Sequence, residues 1–193
     1  YKIEGSFTLS DEFEGLGKPN ETKIDNNNQN KGNTVFHGVI VGDSTSKPTI
    51  TNPTNNPLIV VANGAVIKNV RINVTGNITR EQTENGDSAL YGYNGTNTDA
   101  KYYGGVIGEI MGGDNIIDDV TVTYTGTTTL SGGSDPQKDY KHLIAEGGMV
   151  GAVVNGALIF RGSNSVSGRT VSGGGIYSNP YVGRVINGYA VYE

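Results

Sequence analysis

The side chains that could do chemistry in this chain are few and scattered. The carboxylate pair with strand character on both sides is Asp118-Asp119. A polysaccharide hydrolase needs two acidic groups directed at one sugar. Neighbours on a strand point to opposite faces, so these two cannot share a substrate. Asp114 and Asp118 would stand roughly 13 Å apart along a continuous strand, too far to cooperate. Lys68 and Arg71 offer the basic group of a lyase, but their setting reads better as a solvated strand face. The two histidines, His37 and His142, have no partner at i+2 or i+4 to build a zinc set. Asp87, Asp99, Asp135 and Asp139 lack the alternating pattern of a calcium loop and read as turn formers. No catalytic residue, metal ligand or cofactor is assigned, and the chain reads as a non-enzyme.

The aromatic residues are more informative. Tyr91, Tyr93, Tyr102 and Tyr103 fall within thirteen residues. An exposed tyrosine offers a flat apolar ring and a hydroxyl, which suits a sugar ring or a protein hot spot. These four form the candidate binding site. The competing reading is that Tyr102 and Tyr103 begin the next strand and pack the preceding loop down.

What must position these residues is a repeat. Four segments align: Asn56–Gly64, Gly104–Gly113, Gly147–Gly156 and Asn179–Gly188. Each opens on a turn-forming pair, continues with two apolar residues and closes on a glycine turn. A second strand follows. Ile67 to Val74 matches Ile117 to Tyr124 position for position, and Ala157–Phe160 and Ala190–Tyr192 are looser copies. Strand alternation sends Val70, Ile72 and Val74 inward with Val120, Val122 and Tyr124, and leaves Arg71, Asn73, Thr121 and Thr123 outward. The steps from Leu58 to Val106, Met149 and Tyr181 are 48, 43 and 32 residues. Repeats of uneven length with a constant strand–turn–strand part place the variation in outward loops, at 77–103 and 126–142. The two adjacent apolar rows, Leu58/Val106/Met149/Tyr181 and Ile59/Ile107/Val150/Val182, should face opposite ways, one into the core and one under a cover. Stacking would also line up Val61, Glu109, Ala152 and Arg184, a row too apolar for a catalytic cluster.

These patterns predict an all-β chain, an irregular right-handed parallel β-helix with long loop excursions. Like positions carry like residues, so successive coils can bury a continuous apolar column. A β-sandwich with hairpins at the Asn-Gly pairs 63–64, 155–156 and 187–188 is the alternative. Residues 1–34 read as an N-terminal strand and cap region, and residues 35–193 as the β-solenoid.

The stretch from Phe36 to Gly42, Pro48 to Asn52 and Leu58 to Ile72 resembles the opening coils of pectate-lyase-like parallel β-helices. The Gly-Gly-x-x-Gly units at 104–113 and 147–156 resemble the GLUG-type repeats of bacterial cell-surface proteins. The resemblance spans roughly residues 35–193. It implies an extracellular or cell-wall-associated, adhesin-like module with further domains in the same polypeptide. Its ligand would be a host glycan or an extracellular protein. The alternative is a carbohydrate-active β-helix enzyme, or a glycan-binding module derived from one. Two features depart from the pattern: the loops are longer than usual, and the last unit stops at Glu193 in mid-strand.

Composition narrows the classes further. The 193 residues carry a net charge of −5 and no basic stripe, which argues against a nucleic-acid partner. No apolar run is long enough for a membrane span. Cysteine is absent, so disulfides and thiolate chemistry are excluded. Glycine is abundant at 30 residues, in keeping with many tight turns. The chain opens at Tyr1 rather than Met and reads as part of a longer polypeptide, so the lack of a signal peptide is uninformative.

Overall fold

The computed structural model describes residues 1–17, 35–81, 102–131, 145–172 and 177–193. Among these residues the chain is all-β, without a helix, and every strand pairing is parallel. No helix there is long and apolar enough to cross a membrane.

The strands follow one another in tiers. The first tier holds β1 (Lys2–Ile3) and β2 (Phe7–Thr8), and the second holds β3 (Val39–Gly42), β4 (Thr49–Asn52) and β5 (Ile59–Asn63). The third is fuller: β6 (Val66–Lys68), β7 (Arg71–Val74), β8 (Ile78–Glu81), β9 (Tyr102–Gly104) and β10 (Ile107–Gly112). The fourth runs through β11 (Asp114–Asp118), β12 (Thr121–Tyr124), β13 (Thr128–Ser131) and β14 (Ala145–Gly147) into the long β15 (Val150–Arg161). The last comprises β16 (Ser165–Ser167), β17 (Val171–Ser172), β18 (Tyr177–Asn179) and β19 (Val182–Tyr192).

Strands lie on their counterparts in the tier before, except β8 and β9, which begin new columns in the third tier. The largest sheet joins β1, β3, β6, β11 and the second half of β15, while β5, β10 and the first half of β15 form its other arm. β19 pairs along β15. The parallel order β16-β12-β7-β4-β2 makes a second sheet, and β8, β13, β17 and β9, β14, β18 make two three-stranded sheets. Residues 70–74 and 120–124 are therefore parallel partners, with Ile72 opposite Val122 and Val74 opposite Tyr124. The Asn-Gly pairs are not hairpins. Asn155-Gly156 and Asn187-Gly188 lie inside β15 and β19, Asn63-Gly64 joins β5 to β6, and the strands on either side of each pair keep parallel partners, so the sandwich alternative fails. Residues 1–17 continue the same columns: β1 pairs with β3, β2 with β4, and Leu16 bridges Ile59.

The predicted inward columns are buried as expected. Val70, Ile72, Val74, Val120, Val122 and Tyr124 all belong to the main core. The adjacent apolar rows behave differently from the strand rule. Leu58, Val106 and Met149 share that core with Ile59, Ile107 and Val150, so both rows look inward. The chain bends between the two rows, at Gly105–Val106 and Gly148–Met149. A bend interrupts the period of two, so consecutive side chains reach the same side.

That bend explains the Gly-Gly pairs. Gly104 and Gly147 are register partners. A Cβ at Gly104 would lie 2.3 Å from the Met149 carbonyl, and one at Gly147 would lie 2.0 Å from the Val150 carbonyl and 2.6 Å from the Gly183 nitrogen. Backbone fills the space a side chain would need. In the last tier the partner of Gly147 is Asn179, which is exposed, so a side chain is tolerated there. Gly147→Ala should therefore cost about 2–3 kcal/mol by overpacking. Gly64→Ala, at a positive φ but with nothing within 4 Å of its Cβ, should cost only about 1 kcal/mol. Urea melts of the two variants would check this order, and equal losses would contradict the close approach.

Three corner residues in successive tiers, Asn69 (φ 56°), Asp119 (φ 56°) and Gly162 (φ 65°), adopt the left-handed conformation. Asn, Asp and Gly are the residues that enter it at least cost. Asn115 holds another corner. Fully buried, its Oδ1 accepts hydrogen bonds from the Gly64 and Ala65 nitrogens, and its Nδ2 donates to the carbonyls of Gly112, Gly113 and Ala157. One side chain thus ties three tiers together.

Candidate functional site

The insertions leave the sheets at a common place. β8, β13 and β17 are in parallel register, with Thr128 opposite both Ile78 and Val171. The chain returns on β9, β14 and β18, also in register, with Ala145 opposite both Tyr102 and Tyr177. Segments 82–101, 132–144 and 173–176 therefore depart from adjacent strands and come back on adjacent strands. Adjacent strands are about 4.8 Å apart. The side chain of Asn77 helps fix the point of departure by accepting a hydrogen bond from the Thr127 nitrogen of the next tier at 3.0 Å.

Tyr91 and Tyr93 lie outside the described residues. Tyr102 and Tyr103 are in β9, with exposures of 2% and 0%. Neither offers its ring to a ligand, which corrects the placement of these two in an exposed aromatic site. The physical reason is the strand itself: Tyr103 enters the main core, and Tyr102 packs on the opposite face with Ala145, Ala152 and Val154.

Beneath the return strands is a buried polar network. Register places Tyr103, Glu146 and Ser178 in one column. Glu146 is fully buried and pairs with Arg169, which comes from the turn between β16 and β17. Arg169 Nε donates to Glu146 Oε1 at 2.9 Å, Nη1 to the Asn179 carbonyl at 2.9 Å, and Nη2 to Ser178 Oγ at 2.8 Å. Tyr124 Oη donates to the Gly148 carbonyl at 2.8 Å. Burial, reinforced by nearby Tyr103, pushes the Tyr124 phenol well above its ordinary range. Together these contacts tie the turn between β16 and β17 to the return strands β14 and β18.

On the outer side lies Glu109, 4% exposed, in register with Val61 and Ala152, which is itself paired with Arg184. Glu109 Oε1 is buried without a hydrogen-bond partner. Burial raises its carboxyl to about 8. Asp118 and Asp119 are occupied structurally. Asp118 accepts from Lys68 Nζ at 2.5 Å. Asp119 accepts from the Ser163 nitrogen at 2.8 Å, and that bond, with Lys47 nearby, holds its carboxyl below the usual value. Together they hold a corner of the chain, Asp118 through Lys68 and Asp119 through Ser163. His37 is exposed, and His142 lies outside the described residues. Among the described residues no group of three His, Cys, Asp or Glu side chains could hold a metal ion.

No family model, curated protein or solved structure matches this chain. The site must be read from its own geometry. The Glu146–Arg169 pair escapes sequence reasoning, although a signal for half of it exists. Extending the repeat one residue upstream of Gly104, Gly147 and Asn179 aligns Tyr103, Glu146 and Ser178, so an acid occupies a core position. Nothing in that alignment points to Arg169.

Proposed function

We propose that this chain is an irregular right-handed parallel β-solenoid from a bacterial cell-surface protein, a non-enzymatic stalk or adhesive module. Its insertions within 77–103 and 126–142 contact a host glycan or an extracellular protein. The observation that carries this reading is the alignment of the points of departure and return on paired strands. Loops rooted on adjacent paired strands are a common way for a scaffold to carry binding function. The resemblance to pectate-lyase-like β-helices and GLUG-type repeats agrees with the parallel tiers and uneven repeat lengths.

The test is retention on a glycan array. Tyr91→Ala combined with Tyr93→Ala should lower retention about tenfold or more while leaving the melting temperature unchanged. Unchanged retention removes these tyrosines from the site.

A carbohydrate-active enzyme is the second reading, favoured by Glu109, since a buried carboxyl that keeps its proton near neutrality can serve as a general acid. Its register neighbours are Val61 and Ala152, neither of which can serve as the second acid. Polysaccharide cleavage that disappears in Glu109→Gln would favour this reading over the adhesive one.

A further inference from the structure

The outer column of β5, β10, β15 and β19 carries two groups of opposite charge type that do not touch. Register sets Val61, Glu109, Ala152 and Arg184 side by side across four tiers. Glu109 and Arg184 therefore flank Ala152, on strands two spacings or about 9–10 Å apart. Side chains in register on parallel neighbours stand on one face. Between these two stands only the methyl group of Ala152. Both are long, flexible side chains, and reaching toward each other over one methyl group they can close that distance.

In the structure they stay apart. Oε1 of Glu109 is buried without a hydrogen-bond partner, and Arg184 is engaged by another group. That is the arrangement of a protonated carboxyl, and burial keeps the proton on up to about pH 8. The strands packed against β10 are β5, β9 and β15. β5 has no ionisable residue, and β9 has Tyr102 and Tyr103, which bring no positive charge. The one charge of β15, Arg161, is at its far end and bridged to Glu193. Arg184, one strand further along the same row, is the cation placed to meet an ionised Glu109.

We propose that Glu109 and Arg184 form a proton-controlled clasp: when Glu109 loses its proton, Arg184 leaves its present contact, swings over Ala152 and pairs with the carboxylate, tying the third tier to the fifth. While Glu109 keeps its proton the clasp is open. A buried carboxylate without a partner is costly, and the planar fork of a guanidinium can serve both of its oxygens. Closing the clasp offsets part of the stability lost as Glu109 ionises. The inference rests on the parallel register and the orphaned oxygen, and it is independent of any glycan contact.

The experiment is a double-mutant cycle of Glu109→Gln and Arg184→Met, read by urea unfolding at about pH 6 and about pH 9.5, on either side of the proton loss. At the higher pH the two sites should be coupled by about fivefold or more in the unfolding constant, and at the lower pH by less than about twofold. At the lower pH the present contact of Arg184 is lost equally in both backgrounds and drops out of the cycle. Arg184→Gln replaces Arg184→Met if the methionine variant does not unfold cooperatively. Carbon-13 carboxyl resonances give a second measurement that needs no variant at Glu109. Without Arg184, Glu109 should hold its proton at least about threefold more tightly in the folded protein.

A cycle without coupling at the higher pH overturns the proposal, and so does equal coupling at both. A Glu109 carboxyl that titrates identically with and without Arg184 does the same, and leaves the tier architecture standing.

Discussion

Replacing Arg169 with methionine should destabilise the protein by about 3–5 kcal/mol. Its guanidinium is the charged partner of Glu146, whose side chain is fully buried, and it also donates to Ser178 Oγ and the Asn179 carbonyl. Removing it leaves the buried carboxylate, in register with Tyr103, without its charged partner and with the Ser178 hydroxyl as a weak donor at 3.4 Å. A buried charge without a partner costs far more than the pair was worth. The cost should therefore depend on the partner: Arg169→Met combined with Glu146→Met should lose clearly less than the sum of the two single losses. Urea unfolding at neutral pH measures all four corners of this cycle. Additive losses, or a single-variant loss under about 1 kcal/mol, would mean that water reaches the pair.

The contrast between this pair and the apolar columns shows what could be read in advance. In a parallel stack a residue lies on its counterpart one repeat earlier, so a column of like residues is visible wherever repeats align. Ile72 over Val122, Val74 over Tyr124, and the row of Val61, Glu109, Ala152 and Arg184 were all legible for that reason. Uneven repeat length did not hide them, because the extra residues lie between β8 and β9 and between β13 and β14, away from the aligned strands.

What was not legible depends on corners and on contacts off the column. The rows of Leu58 and Ile59 look alike to any periodicity argument. Only the bend before them turns both inward. Tyr102 and Tyr103 attract attention as a pair of aromatics in a polar stretch, yet strand β9 starts at Tyr102 and buries one ring on each side. Asn115 sits in a Gly-Asp-Asn run that reads as a turn, while its amide is buried and serves three tiers. Arg169 and Glu146 stand 23 residues apart and in no register relation, so no alignment of repeats brings them together.

Glu109 should make the protein lose stability between about pH 5 and pH 8. Burial raises its carboxyl from an ordinary value of 4.5 to about 8, so within that window the folded chain keeps a proton that the unfolded chain releases. Stability is whole below the lower value, declines as pH rises through the window, and levels off above the upper one. The full loss is at most about 5 kcal/mol, and less if the region opens locally to let the carboxylate meet water. Other displaced groups act elsewhere on the scale: Asp43 and Asp119 are lowered from 3.8, and Tyr124 is raised above 10.0. Glu109→Gln keeps the shape and removes the titration. Its melting temperature should vary little across the window, and at alkaline pH it should exceed that of wild type. If the two proteins instead lose stability in parallel as pH rises, Glu109 ionises in contact with water and its burial beside Val61 and Ala152 is not the state in solution.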